Sequence, residues 1–312
     1  MAFRCSMTAR RLPSKLKIPT IAWRSSPLSS HTSPTSSYPG WSLGDVTLTH
    51  FEVVISKTFG TFSRLTPQQY FACAEKFVSQ NRQSKPALVR DSSFPPEDLH
   101  EVACILYLLF RLTTCSMNFW LCASHMGYAP STLSLINLLD KIRGGKFGKS
   151  KSFAEVEARF KQIVVQGKNP DALTLEGKRL YTRSIYSGAA EMLQRALKVG
   201  SRHFELETVC RHYLAKTYLK LDRKKEAMDS LHILADAGLV DAQAELGKLY
   251  RPTDPVKAWQ YLYEGARANS ELYRDLSEMT LEGAASTSGA RHENLLRWAW
   301  EWSRLAKSDV KY

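Results

Sequence analysis

Apolar residues recur every three or four positions in several segments of the chain, which is the spacing of an amphipathic α-helix. Between residues 66 and 83 the positions that follow this interval are Tyr70, Phe71, Ala74, Phe77 and Val78. Prolines cluster in 84–96 and indicate a linker. A second helix is predicted to begin at Pro96, because Glu97 and Asp98 then lie in its first turn, where the helix dipole favours acidic residues.

The most apolar stretch is 102–122, and its length is close to that of a membrane span. Arg111 lies near its middle, and an arginine at the centre of a bilayer is costly. Polar residues follow at Thr113, Thr114, Ser116 and Asn118. We therefore predict one buried helix or two consecutive ones, with a membrane-embedded segment as the alternative.

A register of about 31 residues organises the C-terminal half. Residues 31 apart form the pairs Ala227 and Ala258, Ala235 and Ala266, and Gly238 and Asn269, while Tyr218 precedes Tyr250 by 32. An earlier copy comprises Tyr181, Ala189, Leu197 and Gly200, and a degenerate later copy comprises Leu281, Trp298, Ala306 and Asp309. Each unit predicts two antiparallel helices that bury their apolar faces by stacking on neighbouring units. Gly or Asn is predicted to end the second helix in a left-handed conformation.

Four residues carry a resemblance to a known repeat class: Gly247, Tyr250, Ala258 and Ala266. With these positions, 171–307 resembles tetratricopeptide-type repeats, particularly the Sel-like class. The resemblance implies an α-solenoid of antiparallel helix pairs over 171–312, with the first helix of each pair lining a concave surface. Proteins of this kind are mostly adaptors and assembly factors, so the resemblance is weak evidence for any particular activity.

The same resemblance implies which side chains face the concave groove. The residue two before the signature Tyr is Arg179, Lys216 or Lys248 in three successive units, and neighbouring groove positions hold Arg183, His212, Lys220 and Arg251. The fourth unit has Met279 at the equivalent position, where the row of cations should end. Such a row would suit an acidic peptide, a carboxylate terminus or phosphates. The alternative is that these cations are solvated surface residues.

The N-terminal segment 1–44 has six basic residues, ten serines and no acidic residue before Asp45. This composition is typical of a mitochondrial transit peptide. Its removal would reduce the formal net charge from +13 to about +7. We therefore predict a protein of the mitochondrial matrix or the matrix face of the inner membrane. The alternative is a basic tail that binds an acidic partner in the cytosol or nucleus.

The remaining motifs do not predict catalysis. Three glycines and five basic residues in 141–151 resemble a phosphate-binding loop, but Arg143 stands where the first glycine is required. We predict a flexible basic loop there, within an irregular helical region over 45–170. Cys115 and Cys122 are seven apart on one helix face and are predicted to be buried thiols. We expect no catalytic residues, metal, cofactor or small-molecule substrate.

Together these features predict a mitochondrial adaptor or assembly factor, for example for a respiratory complex, that binds a protein client in a basic concave groove. Peripheral association with the inner membrane is compatible with this prediction. The alternative is an RNA-associated factor in mitochondrial translation or a component of the mitochondrial ribosome. The units lack the residue pairs of a one-base-per-repeat code, which favours a protein client. A cytosolic or nuclear repeat scaffold is the third interpretation.

Overall fold

The computed structural model describes residues 43–58, 60–81, 93–110, 114–141, 151–200 and 203–307. Within these ranges every regular element is an α-helix, so the predicted all-helical class is confirmed. Most of the predicted presequence and residues 142–150 of the basic loop lie outside the described residues. The helices are α1 (Leu48–Lys57), α2 (Pro67–Asn81), α3 (Pro96–Phe110), α4 (Thr114–His125), α5 (Ala129–Lys141), α6 (Lys151–Gln166), α7 (Pro170–Thr182), α8 (Tyr186–Val199), α9 (Glu207–Lys220), α10 (Lys224–Asp236), α11 (Val240–Tyr250), α12 (Pro255–Ala266), α13 (Leu272–Ala285) and α14 (Gly289–Leu305). Consecutive helices pack against one another from α1 to α3 and from α5 to α14.

The chain divides into two compact units, 1–122 and 123–312. The division differs from the predicted region boundary at 170, because it groups α5 and α6 with the repeats. In the first unit α1, α2 and α3 pack together around fully buried Phe51, Tyr70 and Phe77.

The apolar stretch 102–122 falls within α3 and α4, with residues 111–113 outside the described part. Cys115 and Cys122 are both buried, as predicted, and burial raises the pKa of the Cys122 thiol to about 12. Among the described helices none has the length and apolar character needed to cross a membrane.

The second unit contains four consecutive helix pairs, α7/α8, α9/α10, α11/α12 and α13/α14. Two glycines mark the closest approach within a pair. A Cβ added at Gly177 would lie 2.6 Å from Leu193 Cγ, and one added at Gly247 would lie 2.6 Å from Leu262 Cγ. Because both contacts involve a buried leucine of the second helix, the two pairs are equivalent at these positions. In the α9/α10 pair the residue equivalent to Gly177 and Gly247 is Ala215, which belongs to the same buried cluster as Leu231 of the second helix.

The turn between paired helices shows that the predicted first copy is displaced by one residue. The carbonyls of Leu180 and Tyr218 each accept a hydrogen bond from the backbone N–H five residues later, at 2.9 and 2.8 Å. The Tyr250 carbonyl accepts one from Asp254, four residues later, at 2.7 Å. Leu180 is therefore the equivalent of the signature tyrosines, and the prediction of Tyr181 is wrong.

The predicted last copy is also displaced. Ala299, not Trp298, is the residue that α14 buries, and Ser277 Oγ donates a hydrogen bond to the Ala299 carbonyl at 2.7 Å. Ser277 thus stands where Gly177 and Gly247 stand in the earlier pairs. Ser277 and Ala299 are 22 residues apart, against 11 for Gly247 and Ala258, because the end of α13 and the beginning of α14 are longer than in the earlier pairs. These extra residues hid the register from a comparison by spacing.

The helix ends partly follow the predicted chemistry. Gly238 has a φ of 82°, so the left-handed end of α10 is confirmed. At Gly200 the prediction is wrong, since its φ is −75°. There a Cβ would lie 2.3 Å from a ring carbon of Phe204, so glycine permits close approach of that side chain. The prediction is also wrong for Asn269, which is not left-handed; its side chain instead accepts a hydrogen bond from the Glu271 N–H at 3.1 Å.

Candidate partner-binding cleft

A cleft of about 410 Å³ lies along the first helices of the last three pairs. Since α9, α11 and α13 occupy the same place in successive pairs, they present the same face to it. The lining residues are His212 and Lys216 from α9, Asp241, Ala244, Glu245 and Lys248 from α11, Leu272, Arg274 and Asp275 from α13, and Asn269 and Glu271 from the segment between α12 and α13.

The lining carries both signs of charge, which corrects the prediction of a basic groove. Three cations and four carboxylates line the cleft, with His212 in addition. Asp241 precedes Glu245 by four residues and Lys248 by seven, so all three lie on one face of α11. A groove of this kind is complementary to a ligand that itself carries both charges.

Two cations of the cleft are not neutralised within the described residues. Lys216 on α9 and Arg274 on α13 make no ion pair there, and the same holds for Asp241 and Asp275. Lys248 contacts Glu245 at 3.8 Å, but with a side chain 57% exposed this pair contributes little to stability. These charged groups therefore remain available to a partner.

His212 is the histidine of the cleft lining. Its Nδ1 is buried and has no hydrogen-bond partner. Burial lowers the pKa of His212, the positive charge of Lys216 lowers it further, and Asp241 and Glu245 act in the opposite direction. The ring is consequently neutral at pH 7, with one polar atom that no described side chain satisfies.

Arg179 does not belong to the cleft, contrary to the prediction. Only 5% of its side chain is exposed, because the guanidinium lies between α5 and α6. Its Nε donates to Asp140 at 2.9 Å and its Nη1 donates to Glu157 at 3.0 Å. Burial lowers the pKa of Arg179, but the bonds to Glu157 and Asp140 outweigh this effect and raise it overall. Arg179 thus stabilises the packing of three helices.

The register derived from the turns explains this correction. In the first three pairs the residue after the close-contact position is a lysine. Lys178 follows Gly177, Lys216 follows Ala215 and Lys248 follows Gly247. Lys178, which the sequence analysis missed, is half-buried and donates to Asn137 Oδ1 at 3.3 Å. The fourth pair has Glu278 after Ser277, where Met279 had been predicted.

The other predicted groove residues also lie away from the cleft lining. Arg183 and Lys220 are exposed at the ends of α7 and α9. Arg251 follows α11 and donates to Glu282 at 2.7 Å and to Glu278 at 3.5 Å. Of the seven predicted residues, the structure therefore brings together only His212, Lys216 and Lys248.

The cleft also contains residues that the sequence analysis did not identify: Asp241, Ala244, Glu245, Arg274 and Asp275. The spacing of Asp241, Glu245 and Lys248 was the available signal, since it places two carboxylates on the face that carries the predicted lysine. Comparison with protein-family models and with curated proteins finds no match for this chain.

Proposed function

We propose that this chain is a protein-binding helical-repeat protein, of the tetratricopeptide-like α-solenoid type, that holds a segment of a client protein in its cleft. The observation that carries the proposal is the alignment of α9, α11 and α13 along one open cleft whose charged groups are incompletely neutralised. A repeat array builds such a surface without a dedicated catalytic residue, because each pair adds one more helix to it.

The charges favour a polypeptide client over RNA. Four carboxylates would repel a phosphate backbone, whereas a peptide segment that carries both acidic and basic side chains would find partners on both sides. Asp241 and Asp275 would receive its basic groups, and Lys216 and Arg274 its acidic groups. We accordingly retain the adaptor or assembly-factor hypothesis with a mixed-charge client in place of an acidic one.

The composition of residues 1–44 supports a place in mitochondria, in the matrix or on the matrix face of the inner membrane. Assembly of a respiratory complex is the process we propose, and its client would be one of the polypeptides assembled there. A role in mitochondrial translation is the alternative, and it requires that the bound material be RNA or depend on RNA.

The test is site-specific cross-linking in intact mitochondria. A photoreactive amino acid at Ala244, on the lining of the cleft, should give a discrete adduct that protease removes and nuclease leaves unchanged. The matched control places the same group at Ile233, which is half-exposed on α10 and is not part of the cleft lining. No adduct of that size is expected from the control position.

Charge reversal then connects the adduct to the cleft. Lys216→Glu together with Lys248→Glu should reduce the Ala244 adduct at least tenfold, while Lys224→Glu with Lys225→Glu on α10 should leave it unchanged. An adduct that nuclease removes would indicate that the bound client is RNA. Equal adducts from Ala244 and Ile233 would show that the cleft is not the binding site.

A further inference from the structure

The last helix of the described chain exposes an unusual amount of aromatic surface. Of its seventeen residues α14 buries only Ala299, while Trp298 is 51% exposed and Trp300 is 65% exposed. Trp298 stacks on Trp302 with ring centroids 5.5 Å apart, and Trp302 lies 6.4 Å from the ring of Trp259 on α12. Neither Trp298 nor Trp300 lines the cleft. Exposed apolar patches of this kind mark interaction surfaces.

The sequence around Ala299 is self-complementary when read in the reverse direction. It runs Leu296-Arg-Trp-Ala-Trp-Glu-Trp302. Successive side chains are separated by about 100° around an α-helix, so Arg297 and Glu301 both lie on the side opposite buried Ala299. Trp298 and Trp300 flank this outward side, one on each edge.

A twofold axis that passes beside Ala299 exchanges these positions in an antiparallel pair of helices. Position 297, near the middle of the interface, then faces 301 of the other copy, so arginine meets glutamate twice. Each edge residue faces its own copy, so Trp298 meets Trp298 on one edge and Trp300 meets Trp300 on the other. A twofold interface requires this self-complementarity. Arg297 makes no ion pair within the described residues, and Glu301 is engaged by Arg304 of its own helix at 2.9 Å.

The available surface is of the right order for a dimer. The exposed parts of Trp259, Trp298 and Trp300 together amount to roughly 350–400 Å², given about 250 Å² for a whole indole side chain. A standard interface buries about 800 Å² on each partner, of which a large part is a polar rim. Leu296, Arg297 and Glu301 supply further area. We infer that α14 pairs with α14 of a second copy of this chain in an antiparallel homodimer.

The experiment uses the full chain and measures its mass by sedimentation over a range of concentrations. Wild type should be dimeric. Arg297→Glu places glutamate opposite glutamate, and Glu301→Arg places arginine opposite arginine, so each variant alone should raise the dissociation constant at least tenfold. A mixture of these two variants should recover a heterodimer, because both cross-pairs are then attractive. The double variant should dimerise with itself.

The matched controls separate the interface from general effects. Lys224→Glu changes a charge that is exposed on α10, and it should leave the mass unchanged. Trp300→Lys should abolish the dimer, whereas Val165→Lys at an exposed position of α6 should not. Circular dichroism of each variant reports folding. A monomer at every concentration, or a dimer that neither single charge reversal weakens, would overturn the inference, and a different protein or a nucleic acid would then be the occupant to seek.

Discussion

Gly177 and Gly247 occupy the points where two paired helices lie closest, and they show how single residues set the spacing of the array. Neither has a left-handed backbone, so the reason for glycine is the absence of a side chain. A Cβ at Gly247 would lie 2.6 and 2.7 Å from Leu262 Cγ and Cδ2, and Leu262 is itself buried. Because Leu262 is buried, it cannot swing out into solvent to make room for the added carbon.

We therefore expect Gly247→Ala to destabilise the second unit. Overpacking of this kind costs about 1–3 kcal/mol, against which alanine regains up to about 1 kcal/mol of helix propensity. The net loss should be about 1 kcal/mol in the free energy of unfolding measured with urea. Gly283→Ala on α13 is the control, since a Cβ there meets nothing within 4 Å, and it should stabilise slightly. Equal effects of the two substitutions would contradict the close-approach argument.

At the scale of elements, the Arg179 cluster joins the irregular region to the first repeat pair. Asp140 belongs to α5, Glu157 to α6 and Arg179 to α7, so one guanidinium connects three helices. Arg179 and Asp140 have side chains that are 5% and 9% exposed, while Glu157 is one-third exposed. Removal of the arginine would deprive the buried Asp140 carboxylate of the two hydrogen bonds that Arg179 Nε donates to it, at 2.9 and 3.0 Å.

Arg179→Met should accordingly reduce the stability of the second unit by about 3–5 kcal/mol, the usual cost of breaking a buried ion pair. Arg211→Met is the matched control. Its pair with Glu207 is partly exposed, and its loss should cost no more than about 1 kcal/mol. Adding Asp140→Leu to Arg179→Met should restore part of the stability, because the buried carboxylate that has lost the arginine's hydrogen bonds is then absent. A double variant no more stable than the single one would show that packing, not charge, dominates.

These elements also show what the sequence was able to predict. The helical class and the pairing followed from apolar spacing and from the 31-residue register, since both reflect how each helix buries one face. The groove residues depended on an exact alignment of units. The second helix of the pair begins one residue later after Leu180 and Tyr218 than after Tyr250, as the five-residue and four-residue hydrogen bonds show. In addition, the residue that follows Leu180 is itself a tyrosine. Spacing alone therefore selected Arg179 in place of Lys178.

The repeat pattern could not predict the burial of Arg179 for a second reason. Its partners come from α5 and α6, which lie outside the predicted repeats and contribute carboxylates 39 and 22 residues away in sequence. Long-range ion pairs leave no periodic signal. By contrast Lys216 and Lys248 both line the cleft, because Tyr218 and Tyr250, from which their positions were counted, are in register with each other.

Across the whole array, the cleft exists only where several pairs are stacked, and the pKa of His212 depends on that stacking. Burial and Lys216 lower its pKa in the folded protein, below the ordinary value of about 6.5 that holds when the chain unfolds. As the pH falls through 6.5, the unfolded chain takes up a proton at this site before the folded chain does. The folded state therefore loses stability from pH 6.5 downward until the pKa of folded His212 is reached.

His212→Asn should remove this contribution. Between pH 7 and pH 5 the free energy of unfolding of wild type should fall more steeply than that of the variant, with a difference in slope of at most about 1.4 kcal/mol per pH unit, since one proton is involved. Asp241→Asn removes a carboxylate that favours protonated His212, so it should extend the wild-type loss to lower pH. Urea unfolding at a series of pH values provides the measurement. Parallel curves for wild type and His212→Asn would show that the second unit does not enclose His212 as described, and that the cleft is more open in solution than its stacked helices require.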